Sequence, residues 1–331
     1  MTKYKKCSIK YDWRYYMKFG VYAGSAVGLG DGLLKGKFDE ADKINNALNE
    51  LQGSAKDFLV RAYIHYKGNG QSANHTPINP KQYAINNRRL DLVLCYQTNE
   101  NNIIKWNNFI KEIINEYKDT LATLQITEET NVKGHSQDGD YEYSKKALIE
   151  GVVEAKKIIL KNNLKCNVGF NVSPSFAPND PYWDELKKIA MEDFYKSLDY
   201  VGFDFFPDVF FPIELEKIDG AVEFLLTSFR GQVLEKFGIS KNIPIHVTEN
   251  GWPTSSTRTY EKQALVLEKT IRKIYDLQKR LNIAYYELFN LRDANTSIDN
   301  IGNQFGIMTD EYKPKPAFEK YKELIKEYYE E

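Results

Sequence analysis

The stretch Ile243-Pro-Ile-His-Val-Thr-Glu249-Asn-Gly-Trp-Pro-Thr254 reads as a β-strand that ends in an acid and breaks at once into a Gly/Pro turn. Beyond the turn, residues 261–281 repeat apolar side chains at i, i+3 and i+4, the mark of an amphipathic helix. The same strand, turn and helix recur outward along the chain. Strand-like runs are expected at residues 19–24, 58–66, 90–97, 121–127, 166–172, 200–205, 243–248 and 284–289, with helical patterns such as 103–117, 143–160 and 216–237 between them. Alternation of this kind predicts a parallel sheet flanked by helices, and eight repeats predict an α/β fold of the (β/α)8 barrel type. The interval 67–89 is the exception, a polar Gly/Asn/Pro loop with a short helix expected near 80–87.

A doubly wound sheet is the rival architecture, and its phosphate-binding fingerprint is missing. Gly24-Ser-Ala-Val-Gly28-Leu-Gly30 does not have G-x-G-x-x-G spacing. A chain of 331 residues lies within the size range of one α/β barrel, no repeat or linker divides it, and residues 1–331 are expected to form a single domain.

Composition narrows the partners. Lys and Arg total 45 against 46 for Asp and Glu, so no net field gathers phosphate backbones or anionic lipid, and neither nucleic acid nor membrane is expected. Cys7, Cys95 and Cys166 cannot all pair, and the last two sit in apolar strand-like runs. His65, His75, His135 and His246 form no H-x-H or H-E-x-x-H spacing, and no metal or other cofactor is expected. The basic N-terminal residues lead into no apolar run, and no stretch reaches the length of a membrane span, which makes a soluble, cytoplasmic protein the expectation.

In a closed barrel the chemistry gathers at the C-terminal ends of the strands. The fourth run reads Leu121-Ala-Thr-Leu-Gln-Ile-Thr-Glu-Glu129-Thr-Asn131. Its polar residues Thr123, Gln125, Thr127 and Glu129 share one parity, and Ala122, Leu124, Ile126 and Glu128 share the other. Strict alternation points Glu129 inward and Glu128 toward the helices. In the seventh run Ile243, Ile245, Val247 and Glu249 share one phase, read as an apolar interior layer topped by an acid, with His246 in the opposite phase. Arg61, Tyr63 and His65 share a face of the second run, and an Arg in a barrel wall requires a partner.

These segments resemble those of the clan A glycoside hydrolases. Gln125-Ile-Thr-Glu-Glu129-Thr-Asn131 is similar to that clan's strand-four pattern, and Val247-Thr-Glu249-Asn-Gly-Trp-Pro-Thr254 to the nucleophile segment of endo-1,3-β-glucanases. Residues 286–293 and 305–318 resemble the strand-eight ending and closing segment. The resemblance implies retaining hydrolysis of a β-linked saccharide with no cofactor, Glu249 acting as nucleophile and Glu129 as general acid/base. It also suggests substrate-binding roles for Glu128, Arg61, His65, Asp204, Trp252, Trp183 and Arg292. Three positions depart from the pattern: Glu128 stands where relatives have Asn, the Asp204-Phe-Phe206-Pro207 ending lacks the usual His or Tyr, and Leu288 replaces a Trp. Asp204 and Tyr200 are candidates to replace the His or Tyr as partner of the nucleophile. A sugar-binding barrel of impaired activity is the alternative these departures raise.

Overall fold

The computed structural model describes residues 17–29, 32–34, 36–68, 73–134, 137–177 and 180–330. Its barrel strands, numbered here one to eight, are Lys18–Tyr22, Leu59–Tyr66, Arg89–Tyr96, Leu121–Ile126, Asn167–Val172, Tyr200–Asp204, Ile245–Asn250 and Ile283–Leu288. Each runs parallel to the next. Strand one pairs with strand eight through Phe19 and Tyr286 and with strand two through Val21 and Val60, which closes the ring. The fold is the (β/α)8 barrel that the alternating pattern predicts. Cys95 and Cys166 are buried free thiols, whereas Cys7 lies outside the described residues, as does His135.

Two stretches differ from expectation. Strand seven begins only after Pro244, which has no N–H to give a sheet, and it continues through Glu249 and Asn250. In the 67–89 interval, Asn74–Thr76 forms a short antiparallel strand on the upper part of strand two, beyond the reach of the short strand one, and only Pro80–Tyr83 is helical.

The helices pack around this ring by their apolar stripes. Ile103–Tyr117 starts at Asn102, whose side chain accepts from the Lys105 N–H at 3.2 Å, and it buries Trp106, Ile110, Ile113, Ile114 and Tyr117. Tyr260–Leu281 starts in the same way at Thr259. The expected 216–237 helix is broken: Ile218–Ser228 passes through a π-helical segment, Phe229–Leu234, in which buried Arg230 donates to the carbonyls of Leu281 and Ile243. The last helix, Pro316–Glu330, is tied to the seam by Tyr321, whose hydroxyl donates to the Gly20 carbonyl at 2.5 Å. No described helix is long and apolar enough to cross a membrane.

The barrel interior corrects the phase expected for strand seven. His246, not Ile245 or Val247, faces inward: its ring stacks on Tyr200 at 4.0 Å and leans on Tyr285 at 4.1 Å. Burial in this aromatic layer holds His246 well below its ordinary pKa. Above it Thr248 donates to Asp204, and Gly202 leaves the space, since a Cβ there would meet Thr248 Oγ1 at 2.5 Å. Beyond strand seven the chain turns at Gly251, where a Cβ would lie 1.8 Å from the Phe289 carbonyl oxygen. That neighbour is backbone and cannot swing away. Gly251→Ala is expected to lower stability by about 1–3 kcal/mol through overpacking, read as a reduced melting temperature; an unchanged melt would show that the two segments separate freely.

Candidate active site

Glu249 reaches the interior although it shares its parity with the outward-facing Ile245 and Val247. The pairing of strands six and seven shifts register between His246, opposite Gly202, and Glu249, opposite Asp204. Such a bulge adds one residue to one strand and re-aims the side chains beyond it. Tyr63 on strand two donates its hydroxyl to Glu249 Oε1. Arg61 lies beneath, donating through Nε to the Tyr63 oxygen at 2.7 Å, through Nη1 to Asp91 at 2.5 Å and through Nη2 to Gln125 at 2.9 Å. The same guanidinium stands 3.5 Å from Glu128 and 3.8 Å from Glu249.

The end of strand four also breaks alternation. Thr123 and Gln125 face the interior as expected, but regular strand stops at Ile126, and Thr127 adopts a left-handed φ of 66°. Glu128, placed by parity on the helix side, instead turns back into the barrel. Its Oε2 accepts from Gln125 at 2.6 Å and its Oε1 from Asn171 at 3.1 Å. Glu129 comes next at φ 43°, its N–H donating to Asn171 Oδ1 at 2.8 Å and its carboxylate accepting from Ser173 Oγ. Both acids therefore open into the cavity. Asn171 on strand five binds Glu128, the Glu129 backbone and Asp204 together. Asp138 fixes the turn from behind, accepting the N–H groups of Tyr96 at 2.6 Å and Glu128 at 2.8 Å.

This arrangement concentrates acid around one guanidinium. Glu128, Asp204 and Glu249 present oxygens all within 4.8 Å of one another. That spacing would admit a cation, but Arg61 already supplies positive charge to two of the three. Burial first, and then the Asp204 charge, pushes Glu249 up to about 8, with Arg61 pulling the other way. Burial and the Glu249 charge raise Glu128 well above the carboxylate range, and burial with the Glu128 charge does the same to Asp204. Burial also raises Glu129, against the hydrogen bond from Ser173. Burial thus favours the protonated form of all four carboxyls, with Arg61 opposing it.

Arg61, His65 and Asp204 join this site, with His65 on the cavity wall. Three expected contacts lie elsewhere. Trp183 is part of the helix Tyr182–Ile189 and packs on Phe237 and Tyr182 behind strand five. Trp252 is buried, donating to Asp208 at 3.2 Å with the Arg258 guanidinium 4.1 Å from its ring centroid. Arg292 bridges loops through the Lys37 carbonyl and Asp39. Tyr200 sits in the lower ring layer, so the partner of Glu249 is Tyr63, which shares its strand face with Arg61. Phe289 rather than Leu288 lines the cavity, stacked on Tyr22 at 5.3 Å. Asn171 and Ser173 carried no sequence signal, being two polar residues in an ordinary strand ending.

No family model and no curated protein sequence matches the chain. Solved structures do match. An active-site mutant of Rhizomucor miehei β-1,3-glucanosyltransferase in complex with laminaritriose aligns over 90% of this chain and 96% of its own, with TM-score 0.55 and 15% identity. Ruminococcus gnavus β-glucuronidase aligns over 95% of this chain and 50% of its own, with TM-score 0.61 and 14% identity. Bifidobacterium dentium β-glucuronidase, complexed with coumarin-3-O-glucuronide, aligns over 94% of this chain and 46% of its own, with TM-score 0.59 and 16% identity. These neighbours share the barrel. At such identities the likeness establishes the fold, and this chain spans about half the length of the two glucuronidases.

Burial pushes Asp138 up to about 7, against the two N–H groups it accepts. A carboxyl that holds its proton more tightly folded than unfolded stabilises the fold below its ordinary range, and that contribution is lost as pH rises through the folded value. For Asp138 the window runs from 3.8 to about 7, and for Glu249 from 4.5 to about 8. The denaturation midpoint is expected to fall with rising pH across these windows. Asp138→Asn, which keeps an acceptor oxygen for the two N–H groups, should flatten the lower one; a parallel slope in wild type and variant would contradict the assignment.

Proposed function

We propose that residues 1–331 act as one catalytic domain, a retaining glycoside hydrolase for β-linked saccharides. The observation that carries this reading is the arrival of Glu129 from strand four and Glu249 from strand seven in one cavity, each held by a separate set of donors. Glu249, oriented by Tyr63 and Arg61, attacks the anomeric carbon while Glu129 protonates the departing oxygen. The glycosyl-enzyme then yields to water, from which Glu129 takes the proton. The named carbohydrate ligands of the fold neighbours, laminaritriose and a glucuronide, support a sugar as the ligand class.

A second reading is a sugar-binding barrel without turnover. Glu128 favours it, because a third carboxyl beside Glu249 competes for the same proton and the same guanidinium. Release of the aglycone from activated β-glycosides separates the readings, since a binder shows saturable affinity alone.

Glu249→Ala is expected to abolish turnover. Glu129→Ala should still form the glycosyl-enzyme from a dinitrophenyl glycoside, whose leaving group needs no proton, and then stall. Azide should rescue the Glu129 variant as a β-glycosyl azide and the Glu249 variant as the α-anomer, distinguished by NMR. The same anomer from both variants would remove the double-displacement assignment.

Attack requires Glu249 ionised, so kcat/KM should rise with pH through the value of about 8 at which burial and Asp204 hold its proton. Asp204→Asn removes the neighbouring charge that, after burial, does most to raise Glu249, and it keeps a side-chain oxygen toward Thr248. Its rising limb should lie at lower pH, because less negative charge opposes ionisation of Glu249. A limb that stays in place would uncouple the two residues.

A further inference from the structure

The cavity has two unlike sides. Strands two and three and their ends contribute Tyr63, His65, Lys67 and Gln97, whereas the segments after strands five and six contribute Phe176, Phe206, Phe210, Phe211 and Ile213. Phe224, on the helix after strand six, extends the second side. Phe176, Phe210, Phe211 and Phe224 are 61%, 64%, 63% and 61% exposed, and Phe176 meets Phe211 edge-on at 5.4 Å. An apolar patch of this kind in contact with water marks a binding surface. Phenylalanine offers no hydrogen bond to a sugar hydroxyl, and the described tryptophans Trp106, Trp183 and Trp252 all lie away from the cavity.

The strand-six segment of this wall is fixed in place. Asp208 accepts from the Ile213 N–H at 2.8 Å and from Trp252 at 3.2 Å, and it pairs with Lys262 at 2.9 Å. Arg258 donates to the Asp208 carbonyl. The cavity encloses about 1030 Å³, at the upper end of the roughly 300–1,000 Å³ of small-molecule sites, so it holds more than one sugar ring.

The chemistry of the proposed reaction says which part of a substrate meets the wall. The acid that protonates the leaving oxygen faces the leaving group. Ser173, which donates to Glu129, begins the segment that carries Phe176. We propose that this wall binds a large apolar aglycone, an alkyl or aryl group β-linked to the sugar, in place of further sugar units. The orientation rests on the reading of Glu129 as the acid.

Calorimetric titration of methyl and octyl β-glycosides of glucose, galactose and mannose, the octyl compounds below their micelle threshold, tests this without turnover. Each buried methylene contributes about 0.8 kcal/mol, or about fourfold in affinity, so the octyl compounds should bind at least about tenfold more tightly than their methyl partners. A Phe176→Ser/Phe211→Ser variant should lose that advantage and keep the methyl affinity of wild type, and its melting curve checks that it is folded. Equal affinity for octyl and methyl compounds would overturn the proposal even if dinitrophenyl glycosides were hydrolysed. Equal affinity, together with a wild-type dimer that the double variant dissolves, would overturn it in favour of an interface between copies. A chain-length advantage that the variant abolishes, with no glycoside turned over, would uphold the apolar site and retire the hydrolase reading alone.

Discussion

A single guanidinium, buried at the centre of the barrel, organises the upper interior. Arg61 cannot shed its charge, and with no access to water it must be matched within the protein. Asp91 supplies the closest match, and Thr123 in turn donates to Asp91. The remaining donors of the fork reach Tyr63 and Gln125, and through them Glu249 and Glu128. Losing one member of a buried pair costs about 3–5 kcal/mol, because the other is stranded. The core of the barrel and the orientation of the carboxyls are thus maintained by the same contacts.

Around that guanidinium the protein gathers four buried carboxyls. Proximity within a water-poor cavity couples the protonation of Glu128, Glu129, Asp204 and Glu249. Asn171 is the neutral joint of the group, with its amide N–H groups turned to two acids and its oxygen to the backbone of the third. Its amide thereby ties the ends of strands four, five and six together.

The barrel itself was legible because strand and helix periods alternate plainly, and the strand ends at residues 121–131 and 243–254 stood out as acids after apolar runs. The faces those acids take were not legible. A bulge between His246 and Glu249 is set by pairing with strand six, and the left-handed turn at Thr127 by contacts to Asp138 and strand five, none of which leaves a trace in local alternation. Glu249 faced inward despite an incorrect phase for its strand, and Glu128 turned inward against a parity that holds only as far as Ile126. Residue type misled as well. Trp183, Trp252 and Arg292 are residues that bind sugars in many proteins, yet here they pack a helix, anchor a loop and bridge two segments, roles fixed by neighbours distant in sequence.

The seam of the ring has a consequence for biosynthesis. Strand one pairs with strand eight from Lys18 to Val21, so one of its two neighbours is translated only after the six strands between them. Until then Phe19 and Val21, both buried in the finished fold, have no strand to cover one edge. A nascent chain leaving the ribosome therefore carries an unfinished sheet edge until strand eight emerges, a window in which chaperone binding and self-association compete with closure.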